Sequence, residues 1–522
     1  MARKWWTLAA VVAGVFMLVL DITIVNVALP AIGRDFHSPL TDLQWVLDAY
    51  ALALAAGLLT GGSLADLWGR RRVYAAGVAI FTACSLLCGF ATGPLFLVLA
   101  RTGQGIGGAV VWATSLALLS DAFRGRDRGV AFGIYGGILG IAVAVGPLLG
   151  GVLTSGLSWR WIFWVNVPVG IAVIIVTLTK LAESKSPVAH RPDWAGFAVF
   201  TAALVLLVYG LITAAGGWGQ PKVYATIAAA AVLFAVFPFL EAAQEHPMLD
   251  LAIFRKPTFN GGLIAAIGLN ASIYSLFTYL VLYMQQQLGL SPEQTGVRFL
   301  ALTGAMFVAS TVAGRLTGTV PVRLMIAGGF VLIGAGILLM AGLSASSGWL
   351  HLLAGMIVAG AGAGLVTVPL ASTAVGVVDV SKAGTASGIN ATARQVGLAA
   401  GIAALGAILT ARLQDSVAGQ LGHTALAPQA AHIAGGISAS STPAGSAAGL
   451  APAAAGVVEH AVRAGFADGL NEILIITAVV AFVAAALSLV LIRARDFVAP
   501  PPAPSGADSG QGLASQGAAQ AG

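Results

Sequence analysis

Charged residues are scarce in this chain. Only 9% of its 522 residues are Asp, Glu, Lys or Arg, whereas 58% are hydrophobic. Soluble domains carry about 25% charged residues, so this composition excludes a string of soluble domains. The apolar runs are long and unbroken, which excludes a membrane β-barrel because its strands alternate apolar and polar residues. The remaining class is an all-α integral membrane protein that crosses the bilayer many times.

Reactive and metal-binding residues are equally rare. The two cysteines, Cys84 and Cys88, share one apolar run, which is typical of packing residues. None of the seven histidines lies well inside a predicted span, so a metal site or a histidine proton relay is not expected. The phosphate-binding pattern G-x-x-x-x-G-K-[ST] is absent, which argues against ATP as the energy source. We expect no enzyme activity, no cofactor and no nucleic-acid partner.

Windows of about 19 residues predict fourteen membrane spans. Because every backbone amide must be paired inside lipid, these runs are predicted to be helices. The predicted spans are 7–29, 44–66, 73–91, 95–119, 129–154, 160–181, 195–215, 222–240, 259–285, 297–318, 323–343, 349–376, 384–411 and 469–492.

The basic residues predict the orientation of these spans. Of the 26 Lys and Arg residues, 18 fall in loops on the side of the two termini and six on the opposite side. Only Arg101 and Arg394 lie within predicted spans. Because basic loops stay in the cytoplasm, this asymmetry predicts that both termini are cytoplasmic. The high content of Ala and Gly suggests a bacterial source and hence a bacterial cell membrane.

Short glycine patterns recur at nearly constant offsets of 252 to 257 residues. The matched segments are 103–107 with 360–364, 131–133 with 386–388, and 62–64 with 314–316. They predict two six-helix repeats in the same orientation, which in one large transporter class hold the substrate path between them and rock in alternation. The predicted parts are a six-helix bundle at 1–181, two inserted helices at 182–258 and a second bundle at 259–492.

Two segments are rich in Ala, Gly, Ser and Pro and contain few large apolar residues. They are an outer loop at about 412–468 and the cytoplasmic tail at 493–522. Both are predicted to be disordered because they cannot build a core.

The loop between the second and third spans, residues 62–72, reads GSLADLWGRRR. Glycine allows a tight turn here, and an acid is favoured near the start of the next helix. The arginines alone fit an ordinary cytoplasmic loop. The whole spacing resembles the signature loop of the major facilitator superfamily, although Leu67 stands where that family often has arginine. The resemblance implies a gating role for Gly62, Asp66, Gly69, Arg70 and Arg71.

The fifth span carries a second pattern of glycines around Pro147, which removes a backbone hydrogen bond and kinks the helix. Helix packing without ligand contact is the simplest reading of each residue. As a pattern, the segment is similar to the motif that marks exporters within the superfamily. The residues that carry it are Gly140, Gly146, Pro147, Gly150 and Gly151.

Four further segments narrow the resemblance to the fourteen-helix drug:proton antiporter family. They are 20–30 (LDITIVNVALP), 45–50 (WVLDAY), 158–163 (SWRWIF) and 383–388 (AGTASG). This family resemblance covers about residues 15–411 and implies drug efflux, antibiotic resistance and exchange of a small-molecule drug for protons. An importer is disfavoured by the exporter motif. A dedicated exporter of one natural product, siderophore or lipid stays open, and a monomer in the bilayer is the default expectation.

Two acids lie well inside spans, Asp21 and Asp48. At about 1.5 Å per residue, Asp21 and Arg101 lie about 9 Å and Asp48 about 6 Å below the outer surface, so the three share one layer. A charge buried in a membrane normally faces a partner or a water-filled cavity. If Arg101 neutralises one aspartate as a structural pair, the other carboxylate is left without a matching base and is able to bind a proton or a cation.

The family resemblance assigns roles to these residues. The span-4 motif that contains Arg101 is implicated in proton coupling, and an aspartate in the W-x-x-D-x-Y context resembles the branch that exports organic cations. We therefore expect Asp48 with Tyr50 to recognise a cation and Asp21 with Arg101 to couple protons, or the reverse.

Other polar residues within spans are weaker candidates for substrate contacts. Arg394, near Asn390, fits either a substrate or gating contact or an arginine bonded to helix carbonyls. Four residues of the ninth span could line the cavity, although a structural role is the simpler reading: Asn270, Tyr274, Tyr283 and Gln285.

Overall fold

The computed structural model describes residues 3–123, 126–184, 193–214, 218–244, 251–316, 319–377, 383–437, 441–447 and 450–497. These residues form helices joined by short connections. The first nine helices are α1 (Arg3–Phe36), α2 (Leu40–Trp68), α3 (Arg70–Gly89), α4 (Pro94–Ala122), α5 (Arg126–Gly156), α6 (Trp161–Trp164), α7 (Asn166–Lys180), α8 (Trp194–Thr213) and α9 (Pro221–Ala243).

The remaining helices are α10 (Pro257–Leu269), α11 (Ser275–Leu282), α12 (Pro292–Leu316), α13 (Val322–Met340), α14 (Leu350–Val375), α15 (Ala383–Leu421), α16 (Ala430–Gly435), α17 (Pro443–Ser446) and α18 (Pro452–Leu491). Two π-helical turns, Asn270–Tyr274 and Tyr283–Gln287, continue α10 and α11 into one long rod. Such turns are rare and are frequent at functional sites.

Twelve helical segments among the described residues are long and apolar enough to cross a membrane. The α6–α7 pair forms one of these segments, Trp161–Lys180, and the α10–α11 rod forms another, Pro257–Gln287. Two more long helices, α2 with 29 residues and α5 with 31, occupy the second and fifth predicted positions. The all-α membrane class is therefore confirmed, and the count of fourteen spans stays a prediction.

The helices form an N-half (α1–α7) and a C-half (α10–α18), each with its own core. Leu18, Tyr74 and Phe81 are buried in the N-half core, and Phe330 and Leu474 are buried in the C-half core. We call the end that holds Arg3 and Leu491 the terminal end, and the end that holds Phe36, Gly156 and Gln287 the far end.

The inserted helices α8 and α9 pack on each other and against the seam between the halves. Leu204 and Val208 of α8 share a buried cluster with Ala51 of α2 and Ala403 of α15. The insert therefore contacts both halves along one side of the molecule.

The outer segment at 412–468 differs from the predicted disordered loop. Helix α15 continues to Leu421, α18 already begins at Pro452, and α16 and α17 lie between them. Alanine is the best helix former, and proline is well suited to the first turn, where Pro443 and Pro452 stand. The Thr442 side chain caps α17 by accepting from the Gly445 amide. Local propensity thus builds helices where large apolar residues are few.

The predicted tail from 493 begins with a short 3-10 turn at Ala494–Asp496, and residues 498–522 lie outside the described part of the chain. The Asp496 carboxylate accepts hydrogen bonds from the Thr258 hydroxyl at 2.6 Å and the Thr258 amide at 3.3 Å. The hydroxyl bond lowers the pKa of Asp496. This contact fastens the end of α18 to the start of α10.

Candidate functional site

Asp21 and Arg101 form a buried ion pair between α1 and α4. Arg101 Nη1 donates to Asp21 Oδ2 at 2.5 Å, and the two side chains are 1% and 0% exposed. The other carboxylate oxygen, Oδ1, accepts from Gln104 Nε2 at 2.9 Å and from Asn166 Nδ2 at 3.1 Å. A charge inside a membrane is tolerated when it is paired and hydrogen-bonded in this way.

Arg101 also contacts α2 on both sides of Asp48. Its Nε donates to the Val46 carbonyl at 3.1 Å, and its guanidinium carbon lies 4.1 Å from the centre of the Tyr50 ring. Tyr50 was predicted to act with Asp48, but the structure places its ring against Arg101. Arg101 is therefore held by α1, α2 and α4 together.

Asp48 is buried but unpaired. It is 0% exposed, and neither carboxylate oxygen has a hydrogen-bond partner in the described part of the chain. One turn earlier on the same helix, Gln44 Nε2 donates to Tyr279 Oη at 3.1 Å and to the Ile402 carbonyl at 3.3 Å. Tyr279 is also within electrostatic range of Asp48. Asp48 thus lies where α2 of the N-half meets the C-half.

Several hydrogen bonds join the two halves toward the far end. Thr278 donates to Asn26 at 2.7 Å, and Gln285 Nε2 donates to the Val27 carbonyl at 2.8 Å. Further out, the Glu293 amide donates to the Ser155 hydroxyl at 3.1 Å. These contacts join the two halves at the far end.

The exporter motif of α5 contacts both α1 and α12. A Cβ added at Gly150 would lie 2.8 Å from the Ile24 carbonyl oxygen, and one at Gly151 would lie 2.5 Å from the Pro292 carbonyl oxygen. Gly146 packs on Thr23, and the Pro147 carbonyl packs on Gly296 of α12. The motif therefore serves close helix packing, much of it across the seam between the halves. Gly140 lies in the same helix.

The α2–α3 loop is fastened by charges at the terminal end. Arg70 Nη1 donates to Asp121 Oδ2 at 2.5 Å, and the Arg71 amide donates to Glu183 Oε1 at 3.0 Å. The Arg70 amide donates to the Ser184 carbonyl at 2.9 Å. Glu183 follows the sixth predicted span and lies outside the motifs that the sequence shows. The Asp66 side chain lies outside the described part of the structure.

We predict that Gly69→Ala destabilises the protein. Gly69 has φ +103°, where an L side chain is strained, and a Cβ there would lie 2.6 Å from Glu183 Oε1. Such strain costs about 1–3 kcal/mol, so the midpoint of thermal unfolding in detergent should fall by several degrees. The control is Gly62→Ala, since Gly62 has open space around its Cβ position. An equal midpoint in both variants would contradict the assigned strain.

The remaining predicted cavity residues divide between the seam and the interior of the C-half. Gln285 bonds α1, as described above, and lies in the seam. Tyr283 donates to the Ser347 carbonyl at 2.8 Å and stacks on Phe466, so it belongs to the C-half interior. Asn270 donates to the Ala266 carbonyl of its own helix at 2.9 Å. Tyr274 lies within electrostatic range of Arg394.

The sequence profile of the Major Facilitator Superfamily matches residues 11–402. The chain belongs to this superfamily. It is similar to the multidrug resistance protein Stp of Mycobacterium tuberculosis, with 35% identity over 82% of this chain and 80% of the relative. It is also similar to the tetracenomycin C resistance and export protein of Streptomyces glaucescens, with 33% identity over 94% and 92% of the two chains. The puromycin resistance protein of Streptomyces alboniger is 36% identical over 78% and 82%.

A solved structure supports the fold of this superfamily member. It is a bacterial homologue of the human lysosomal transporter Spinster in an inward-facing and occupied conformation, with a TM-score of 0.66 and 18% identity. The match covers 96% of this chain and 99% of the other. The superfamily match and the named relatives make the chain a multi-pass membrane transporter and not an enzyme, as the sequence predicts.

Proposed function

We propose that this superfamily member is a proton-driven exporter that exchanges protons for amphipathic, cationic drugs by alternating access. The observation that carries the proposal is Asp48, a fully buried carboxyl group beside the seam that has no partner among the residues the structure describes. A carboxyl group in this position can hold a proton or a cation but not both. That mutual exclusion is the minimum requirement for antiport.

Asp21 and Arg101 provide the second element of the exchange. When Asp21 takes up a proton, the charge of Arg101 loses its counterion. Arg101 is bonded to the Val46 carbonyl and packed on Tyr50, so its charge then acts on the α2 segment that carries Asp48. A positive charge there disfavours a bound cation and promotes its release.

The proposed orientation places both termini in the cytoplasm of a bacterium, so the far end faces outward. The hydrogen bonds between the halves then close the outer entrance, and the opposite state requires their rupture. Each chain supplies both halves of the passage, which supports a monomer as the working unit.

The first experiment uses purified protein in liposomes with an imposed pH gradient. When a lipophilic dication is added, liposomes that contain the wild-type protein should show a flux of protons across the membrane. Asp48→Asn keeps the shape of the side chain but removes its charge, and loss of one charge-assisted contact should weaken dication transport about 10–100-fold. The control is Asp42→Asn on the first turn of the same helix, which should match the wild type.

Failure of every cation and neutral drug to move protons would contradict the multidrug proposal. Equal dication transport by the wild type and Asp48→Asn would contradict the role of Asp48 alone.

A dedicated exporter of one compound is the second candidate. Two of the similar proteins are named for resistance to a single compound, tetracenomycin C or puromycin, whereas Stp is named for multidrug resistance. A panel of structurally unrelated drugs separates the two candidates. Increased resistance to one chemical class only would favour the dedicated exporter.

A further inference from the structure

Arg394 on α15 is the second arginine within a membrane span, and its environment is opposite to that of Arg101. Arg101 has an acid, an amide, a carbonyl and an aromatic ring as partners. The Nε of Arg394 has no hydrogen-bond partner, and no salt bridge to Arg394 occurs within the described ranges. Arginine stays protonated in proteins, so this charge is present and uncompensated.

Asn390 supplies a second unused donor next to Arg394. It lies one turn earlier on α15, hence on the same helix face, and is 6% exposed. Its Nδ2 also has no hydrogen-bond partner among the described residues. Buried amide groups are normally hydrogen-bonded. Two donors without partners on one helix face therefore indicate a site whose ligand accepts hydrogen bonds.

Tyrosines from both halves flank this pair. Tyr135 of α5 and Tyr274 of the π-helical turn both lie within electrostatic range of the Arg394 guanidinium. Farther along the same face of α15, Gly397 and Gly401 pack on the α10–α11 rod. The donor pair therefore lies between the N-half and the C-half, along the passage that the substrate must follow.

The level of the donor pair can be read from the contacts of α15 with α2. Ile402 is level with Gln44, and Thr392 is level with Ala55, to whose carbonyl it donates at 3.2 Å. Arg394 thus lies nearer to the terminal end than Asp48, by about 6 Å along the helix axis. The passage holds an unpaired carboxyl group and an unpaired guanidinium group at two successive levels.

We propose that Arg394 and Asn390 bind an acidic oxygen of the transported compound, so that the substrates include amphipathic aromatic acids and zwitterions. A carboxylate or an ionised phenol matches the site because both accept hydrogen bonds and carry the negative charge that would neutralise the guanidinium. The phenol groups of Tyr135 and Tyr274 offer an aromatic environment for the body of such a compound. This inference rests on the proposed export function and names its substrate class.

Two dyes that differ at one group test the proposal. Rhodamine 110 is a zwitterion with a free carboxylate, and rhodamine 123 is its methyl ester and a cation. Efflux of both is measured from liposomes that contain the wild type, Arg394→Gln or Arg394→Lys. We expect Arg394→Gln to lower efflux of the free acid about tenfold or more, through loss of a charge-assisted bond, while efflux of the ester is unchanged. Arg394→Lys should restore part of the acid efflux because it keeps the charge.

Binding to detergent-purified protein, followed by dye anisotropy, separates failure of the site from failure of the exporter. If neither dye is exported, the proposed function fails. The site is still supported if the wild type binds the free acid about tenfold more tightly than Arg394→Gln does. Equal acid affinity in these two proteins overturns the inference. The inference is also overturned if Arg394→Gln elutes as a single species and loses efflux of both dyes equally. That result would indicate that Arg394 serves helix packing and does not contact the acid group.

Discussion

Asp21→Asn is expected to abolish transport driven by a pH gradient while exchange of substrate for substrate continues. The amide keeps an acceptor oxygen for Gln104 and Asn166 but cannot release a proton. Translocation itself needs no proton movement when substrate is present on both sides. Proteoliposomes that contain this variant should therefore show no efflux driven by a pH gradient. They should still exchange labelled substrate for unlabelled substrate.

The same change is also expected to destabilise the protein. It leaves Arg101, which is 1% exposed, without its counterion, and breaking a buried pair in this way costs about 3–5 kcal/mol. The double variant Asp21→Asn with Arg101→Gln removes both charges. Its thermal midpoint should recover most of the loss, because no uncompensated charge remains.

The double variant decides between coupling and mere structural pairing. If Asp21 and Arg101 only hold the helices together, restored stability should restore pH-driven transport as well. If they couple protons, the double variant should be stable, yet a pH gradient should still fail to drive its transport. A stable double variant with wild-type pH-driven efflux would remove Asp21 from the proposed mechanism.

The second large effect is expected from Gly151→Ala at the seam between α5 and α12. The new Cβ would lie 2.5 Å from the Pro292 carbonyl oxygen and 2.8 Å from the Glu293 Cα, so backbone atoms must move apart. Overpacking of this kind costs about 1–3 kcal/mol. Because the strain is felt only while the far end is closed, the population of the closed state should fall roughly tenfold relative to the open state.

A single cysteine reports this opening. Val27→Cys places a thiol at a 0% exposed position that packs with the C-half core, in a background where Cys84 and Cys88 are replaced by alanine. A membrane-impermeant maleimide added from outside should label Gly151→Ala roughly tenfold faster than the parent. Gly156→Ala is the control on the same helix, since nothing lies within 4 Å of its Cβ position. Equal labelling rates in all three proteins would contradict a closed far end that depends on this seam.

Much of the site follows from spacing and depth along the spans. The estimated depths put Asp21, Asp48 and Arg101 in one layer, and the structure joins Asp21 to Arg101 directly. Which aspartate takes the arginine could not be predicted, because that depends on how α1, α2 and α4 rotate against each other. Asn166 follows the SWRWIF segment at 158–163, but its bond to Asp21 depends on the same rotation.

Long-range contacts account for most of what the sequence could not show. The direction in which Tyr50 faces is set by its contact with Arg101 on another helix. The hydrogen bond from the α2–α3 loop to Glu183 joins residues 112 positions apart. The outer segment illustrates the opposite limit. Its lack of large apolar side chains suggests disorder, whereas its alanines and well-placed prolines suffice for helices once α15 and α18 extend outward to support them.

The most direct test of the account is the release of protons when a cation binds, without membrane or gradient. Purified protein in weakly buffered detergent solution is mixed with a lipophilic dication, and a pH indicator records the protons released per cation bound. We predict proton release by the wild type, tighter cation binding at higher pH, and neither effect in Asp48→Asn. Cation binding that releases no proton and has the same affinity from pH 6 to pH 8 would contradict proton exchange at the centre of this transporter.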